Sequence, residues 1–127
     1  MLMASPAEVE KQAAARVAEA LISAVPDFRE FYEDNIENYD EFLFVLFFWD
    51  VTQATVRSYL GDQEEPDWRS TLGFMEAAVQ SADEAERNVV AYRFLYNLPN
   101  PGTPGHELVG ELGPELTKRY ARLLQGN

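Results

Sequence analysis

An unbroken apolar run, Phe42-Leu43-Phe44-Val45-Leu46-Phe47-Phe48-Trp49, sits between Glu41 and Asp50 and restricts this chain more than any other feature. Such a run is driven out of water, yet it falls far short of the eighteen or so apolar residues that a membrane-spanning helix needs. It therefore belongs in a protein core. A continuous apolar run suits a buried strand or a buried helix equally well. Nothing else in the chain offers a central strand a good β partner, so helix is the reading consistent with the remainder of the sequence.

That remainder is helical in pattern. Ser5-Pro6-Ala7-Glu8 supplies a capping hydroxyl, a proline at the first helical position and a glutamate three residues after the cap. Val9, Ala13, Val17, Leu21 and Val25 follow at four-residue spacing, with Ala20 and Ala24 widening the stripe, which predicts a helix to Ala24 or Val25, stopped by Pro26. A short helix over Asp27–Asn35 and a connection over Asn35–Asp40 come next. Asp50 and Gln53 have capping-box spacing, which predicts a fresh helix from Val51 carrying Val51, Ala54, Thr55, Tyr59 and Leu60 inward, with Gly61 as its stop. Beyond a polar loop, Pro66 takes the place of a first helical residue, and Trp68, Leu72, Met75 and Val79 form an amphipathic face. Ser81 and Glu84 repeat the capping-box spacing ahead of a helix over Ala82–Tyr96, whose main stripe is Ala85, Val89, Tyr92 and Tyr96, with Val90, Phe94 and Leu95 widening or flanking it.

The segment Asn97 to Gly105 holds three prolines and two glycines and reads as a loop, either a plain connection or a presented binding loop. Leu108, Leu112, Leu116, Tyr120 and Leu124 then return every four residues across the break at Gly113-Pro114, predicting two short helices or one sharply kinked one. The expected fold is all-α: a compact bundle of about six to eight helices, several of them short. At 127 residues the chain suits one cooperative core, so residues 1–127 are read as a single domain, with residues 1–5 frayed.

Composition narrows the chemistry. There is no cysteine, which excludes disulfides, thiolate nucleophiles and cysteine-ligated metal. His106 is the only histidine, so two-histidine metal motifs are impossible; it is read as a surface or capping residue. No glycine-rich phosphate cradle, calcium loop or glutamate–histidine helical pair occurs. No cofactor or metal is expected. Together with the absence of a leader or spanning segment, these features lead us to expect a cytoplasmic protein that is not an enzyme.

Twenty-two acids against ten bases give a formal charge of −12, which repels nucleic-acid phosphates and anionic membranes and favours a basic partner, although charge of this size also serves solubility alone. The acids cluster. Asp27, Glu30, Glu33, Asp34, Glu37, Asp40 and Glu41 stand against Arg29 alone, and Asp62, Glu64, Glu65 and Asp67 form a second group. The candidate partner-binding residues are Glu30, Glu33, Asp34, Glu37, Asp40, Glu41, Glu64, Glu65, Asp67 and Trp68. Phe28, Tyr32 and Tyr39 are further aromatic anchors if exposed, and core residues if not. Asp50, at the edge of the apolar run, is either an ionised helix cap or a partly buried carboxyl with a raised pKa.

The stretches Asp50-Val51-Thr52, Arg57-Ser58-Tyr59-Leu60, Trp68-Arg69-Ser70-Thr71-Leu72, Asn88 through Leu98 and Leu112-Gly113-Pro114-Glu115-Leu116 resemble a bacterial family of small uncharacterised helical proteins, some discussed alongside immunity proteins of toxin systems. The resemblance covers roughly residues 35 to 125. It implies a helical fold and makes protein binding more plausible. Residues matching Asp50, Asn88 and Asn97 recur in that family without a catalytic role, and for both asparagines hydrogen bonding within or at the end of a helix is the simplest use. Bulky Trp49 departs from the small residue expected just before the aspartate.

The leading expectation is an acidic protein-binding module, immunity-like or inhibitory toward a basic protein. The alternatives are an enzyme using a metal or a small molecule through Asp50 or the carboxylates around Glu37, and a homo-oligomeric structural protein.

Overall fold

The computed structural model describes residues 4–126, and among these every regular element is helical. Seven helical rods follow one another: α1 (Pro6–Ala24), α2 (Arg29–Tyr39), α3 (Phe44–Tyr59), α4 (Trp68–Ala78), α5 (Glu84–Val89, carried on to Asn97), a 3-10 helix at His106–Glu111, and α6 (Pro114–Leu124). They enclose one core, centred on Phe28, Phe47, Phe48, Phe94, Leu21 and Met75. The expectation of fraying for residues 1–5 concerns mostly residues 1–3, which lie outside the described residues. Ser5 is well placed, its Oγ accepting from the Glu8 N–H at 3.2 Å.

α1 packs along α5. Its buried face is Ala13, Ala14, Val17, Ala18, Leu21 and Ile22, so the stripe is widened by Ala14 and Ala18 rather than by Ala20 and Ala24, which are exposed along with Val9. The small side chains let α5 approach closely, and charged pairs on the rim close the seam: Arg93 grips Glu10 through both carboxylate oxygens at 2.8 and 3.1 Å, and Arg16 bridges Asp83 and Glu86. The N–H of Ala85 and then Arg16 hold the Asp83 carboxyl below its ordinary range, since Asp83, rather than Ser81, caps α5. Asp67 likewise caps α4, which therefore begins at Trp68 rather than at Pro66.

α2 continues to Tyr39, four residues past the expected boundary, and the reason is Asn35. Its side chain is buried and clamps the backbone of Leu43 from both sides, accepting from the Leu43 N–H at 2.8 Å and donating to the Leu43 carbonyl at 3.1 Å. Leu43 is the N-cap of α3, so this one amide fixes the turn that returns the chain from α2 into the apolar run. Asn35→Ala should lower stability by about 1–3 kcal/mol, because two partly buried backbone groups lose their partner. Urea unfolding would measure it, and a loss below about 0.5 kcal/mol would mean that water replaces the clamp.

From Phe44 onward the apolar run is helical, and that helix does not break at Asp50. α3 is continuous, with Thr52 and Thr55 buried and their hydroxyls donating to the carbonyls four residues back. Phe47, Phe48, Val51, Ala54 and Val56 face the core, while Val45, Leu46 and Trp49 stay exposed. Leu60, expected inward, is exposed.

In α5 the expected main stripe fails beyond Val89, and the flanking residues Val90, Phe94 and Leu95 take its place in the core. A π-helical turn at Val90–Phe94 inserts an extra residue into the helix and rotates everything after it. Val90, Ala91, Phe94, Leu95 and Leu98 are therefore buried, and Tyr92 and Tyr96 are turned outward. The break at Gly113-Pro114 is as expected. There the N-terminus of α6 is capped from outside, by Glu76 of α4, whose two oxygens accept the N–H groups of Glu115 and Leu116 at 2.9 and 3.0 Å.

Candidate functional site

Because successive residues on a helix lie about 100° apart, α3 presents different faces to different neighbours. Asp50 and Arg57, seven residues apart and so on one face, look toward α2. Glu30, Asp34 and Asn38 of α2 recur at four-residue spacing and meet them across a cleft of about 420 Å³, floored by Phe31, Asn35 and Tyr39. Asp50 is thus no helix cap. Lying mid-helix beside α2, its carboxyl is raised above the ordinary value of 3.8 by partial burial, with the Arg57 guanidinium opposing that rise more weakly.

A raised folded-state pKa means that the folded protein binds this proton more tightly than the unfolded chain does. The stability it lends is complete below the ordinary carboxylate value and is lost as pH climbs through the raised one. Asp50→Asn should therefore melt higher than the parent at pH 7 and no higher at pH 3. Thermal melts across that range check it, and an equal or lower melting temperature at neutral pH would contradict it.

Arg57 also joins the two acidic segments. Its Nε donates to Gln63 at 3.1 Å, and Gln63 in turn donates to the Glu65 carbonyl at 2.9 Å, so the loop carrying Asp62, Glu64 and Glu65 is tied to the guanidinium that lines the α2 cleft. The other candidate residues do not converge there. Glu33, Glu37, Asp40 and Glu41 are exposed outside the cleft, and Glu64 and Glu65 are exposed in their loop. Asp67 is occupied as the cap of α4, with Oδ2 accepting from the Ser70 N–H at 3.1 Å. Trp68 is half-buried, edge-on to Tyr59 and covered by Arg69 at 4.3 Å, and it opens onto a separate groove with Leu72 and Glu76. Of the aromatic anchors considered, Phe28 is fully buried, Tyr32 is packed against Phe42, and only Tyr39 is exposed.

Asn97 bonds within its own helix, to the Arg93 carbonyl at 2.9 Å. Asn88 instead reaches across the bundle, its Oδ1 accepting from Arg119 of α6. His106 sits at the start of the 3-10 helix, and its Nδ1–H donates to the Pro99 carbonyl at 3.0 Å, which pins the proline-rich loop. Among the described residues no group of three or more His, Asp or Glu could hold a metal ion, and no helix is long and apolar enough to cross a membrane.

The next face of α3 carries what the sequence did not reveal. Trp49, Gln53 and Val56 look away from α2 into a cavity of about 610 Å³, closed by the end of α5, by the loop after it and by Tyr120, Leu123 and Leu124 of α6. Only the loop hinted at it, through its prolines and glycines. No curated protein and no solved structure matches the chain. Residues 18–126, well over half of the sequence, match the family model described as "Domain of unknown function (DUF7674)", and the chain belongs to that family.

Proposed function

We propose that this chain is an acidic protein-binding module that acts by occupying a basic protein, in the manner of an immunity-like or inhibitory partner. One observation carries the reading. Among the described residues the carboxylates of Glu30, Glu33, Asp34, Glu37, Asp40 and Glu41 form no ion pair, although the chain has arginines enough to pair Glu10, Asp83 and Glu86 elsewhere. Unpaired like charges on one helix repel one another, a cost that a cationic partner removes. The cleft beside them gives a lysine or arginine side chain an acidic pocket between Glu30, Asp34 and Asp50.

Titration calorimetry against basic proteins encoded beside the gene tests this reading. Binding should weaken steeply between low and physiological salt. Neutralising Glu30, Asp34 and Glu37 together should weaken it about tenfold, each exposed pair being worth roughly 0.5 kcal/mol. Salt-independent binding, or no binding to any neighbour at low salt, would remove the basis of the proposal.

A further inference from the structure

The cavity beside Trp49 differs in kind from the acidic cleft. A quarter of the chain's residues are charged, yet no Asp, Glu, Lys, Arg or His lines this cavity. Trp49 and Tyr96 stand at it 48% and 72% exposed, two large aromatic surfaces left uncovered by the fold. Gln53, Asn97 and Asn100 add side-chain amides. The Asn97 Nδ2 is engaged by the Arg93 carbonyl, which leaves its oxygen available, and no polar side-chain atom here is buried without a partner, so the remaining amide groups are open to solvent and to a ligand.

The walls are fixed before anything binds. The Asn100 carbonyl accepts both the N–H and the hydroxyl of Thr103, at 3.1 and 2.6 Å, His106 holds Pro99, and Gly105 packs directly on Val56. The π turn at Val90–Phe94 supplies a further wall, because its extra residue places Leu95 inward and leaves Tyr96 and Asn97 at the cavity. Such turns occur often at functional sites, and a volume of this size lies within the range of small-molecule pockets. An ion entering here would lose water without gaining a counter-charge.

We infer that this cavity is a binding site for an uncharged, planar aromatic molecule bearing an amide or similar polar edge, its ring against Trp49 and Tyr96 and its polar edge on Gln53, Asn97 and Asn100. The inference is independent of the protein-binding reading, which rests on the other side of α3.

The test is a series of neutral benzamide, anionic benzoate and cationic benzylammonium, similar in size, titrated into the isotopically labelled full chain and followed by amide and indole NMR shifts. Benzamide should saturate with millimolar affinity, as a molecule that small can achieve, moving the Trp49 indole and the side-chain amides of Gln53, Asn97 and Asn100. Benzoate should bind there at least about tenfold more weakly, and benzylammonium should instead move Asn38 and its neighbours in the acidic cleft. Trp49→Ala and Tyr96→Ala, both at exposed positions, should each weaken benzamide severalfold while leaving distant resonances in place. Asn97→Asp should exchange the preference, losing benzamide and admitting benzylammonium. Absence of a saturable benzamide shift at Trp49, equal binding of all three probes in the cavity, or indifference to these substitutions would overturn the inference.

Discussion

Replacing Phe47 with alanine should destabilise the domain by about 3–5 kcal/mol, the largest effect expected of any single substitution discussed for this chain. Phe47 is fully buried and touches three other rings, with centroids 5.1 Å from Phe48, 5.3 Å from Phe42 and 6.0 Å from Tyr32, all close to edge-on. Those rings come from α2, from the turn after it and from α3 itself, so no single backbone shift can refill the space. Edge-on aromatic pairs also contribute beyond the area they bury. Against a total stability of roughly 5–15 kcal/mol, the loss should bring the midpoint of thermal unfolding down by more than about 10 °C. Calorimetry or circular dichroism measures it. A cost under about 1 kcal/mol would mean that Phe47 is not the packing centre described.

The second large effect concerns the cavity wall. Gly105 has φ +93°, in the left-handed region, and a Cβ there would lie 2.6 Å from Val56 Cγ1 and 3.3 Å from Pro99 Cγ. Gly105→Ala combines the backbone penalty of about 1–2 kcal/mol with overpacking of about 1–3 kcal/mol, for a total of roughly 2–5 kcal/mol. Gly102→Ala separates the two contributions, because Gly102 has φ +85° with nothing within 4 Å of its added Cβ. It should cost only the backbone share. Denaturant unfolding of both variants checks the difference, and equal losses would mean that Val56 yields without strain.

Helix starts and stops marked by chemistry of a fixed geometric kind were legible in the sequence: the Ser5 cap, the stop at Gly61, the loop from Asn97 to Gly105 and the break at Gly113-Pro114. The helical state of the apolar run was also legible, through the absence of a strand to pair with it. The errors share one cause, which is that the deciding feature lies beyond the reach of a regular local pattern. Asp50 and Gln53 match a capping pattern that an uninterrupted helix carries just as comfortably, and only the packing of α3 against α2 shows that no cap is needed. Asn35 looks like a residue that ends a helix, yet its partner is the backbone eight positions on. A stripe counted at a constant 3.6 residues per turn cannot anticipate the extra residue at Val90–Phe94, so it points Tyr92 and Tyr96 into the core, whereas both are on the surface.

The candidate site divides in the same way. The charge of the Asp27–Glu41 segment followed directly from composition, but not the placing of Glu37 on the same helix as Glu30, because a connection was expected from Asn35 onward. That Glu30 and Asp34 meet Asp50, while Glu33 and Glu37 do not, depends on the rotation of α2 about its own axis. The cavity draws on α3, α5, the following loop and α6, four segments whose meeting no local pattern encodes.

The cap that Glu76 lends to α6 links two parts of the chain that would otherwise come apart separately. A terminal helix that begins with its own serine or aspartate can peel away and re-form by itself. Here the two N–H groups at the start of α6 are satisfied by a side chain 39 and 40 residues earlier, and Gly113 is the residue that admits the carboxylate, since a Cβ there would sit 2.5 Å from Glu76 Oε1. The last rod is thus secured only once α4 is seated. Opening of either one exposes the other, so the exchange rates of the Glu115 and Leu116 amides report on the integrity of the whole bundle rather than on the looseness of its end.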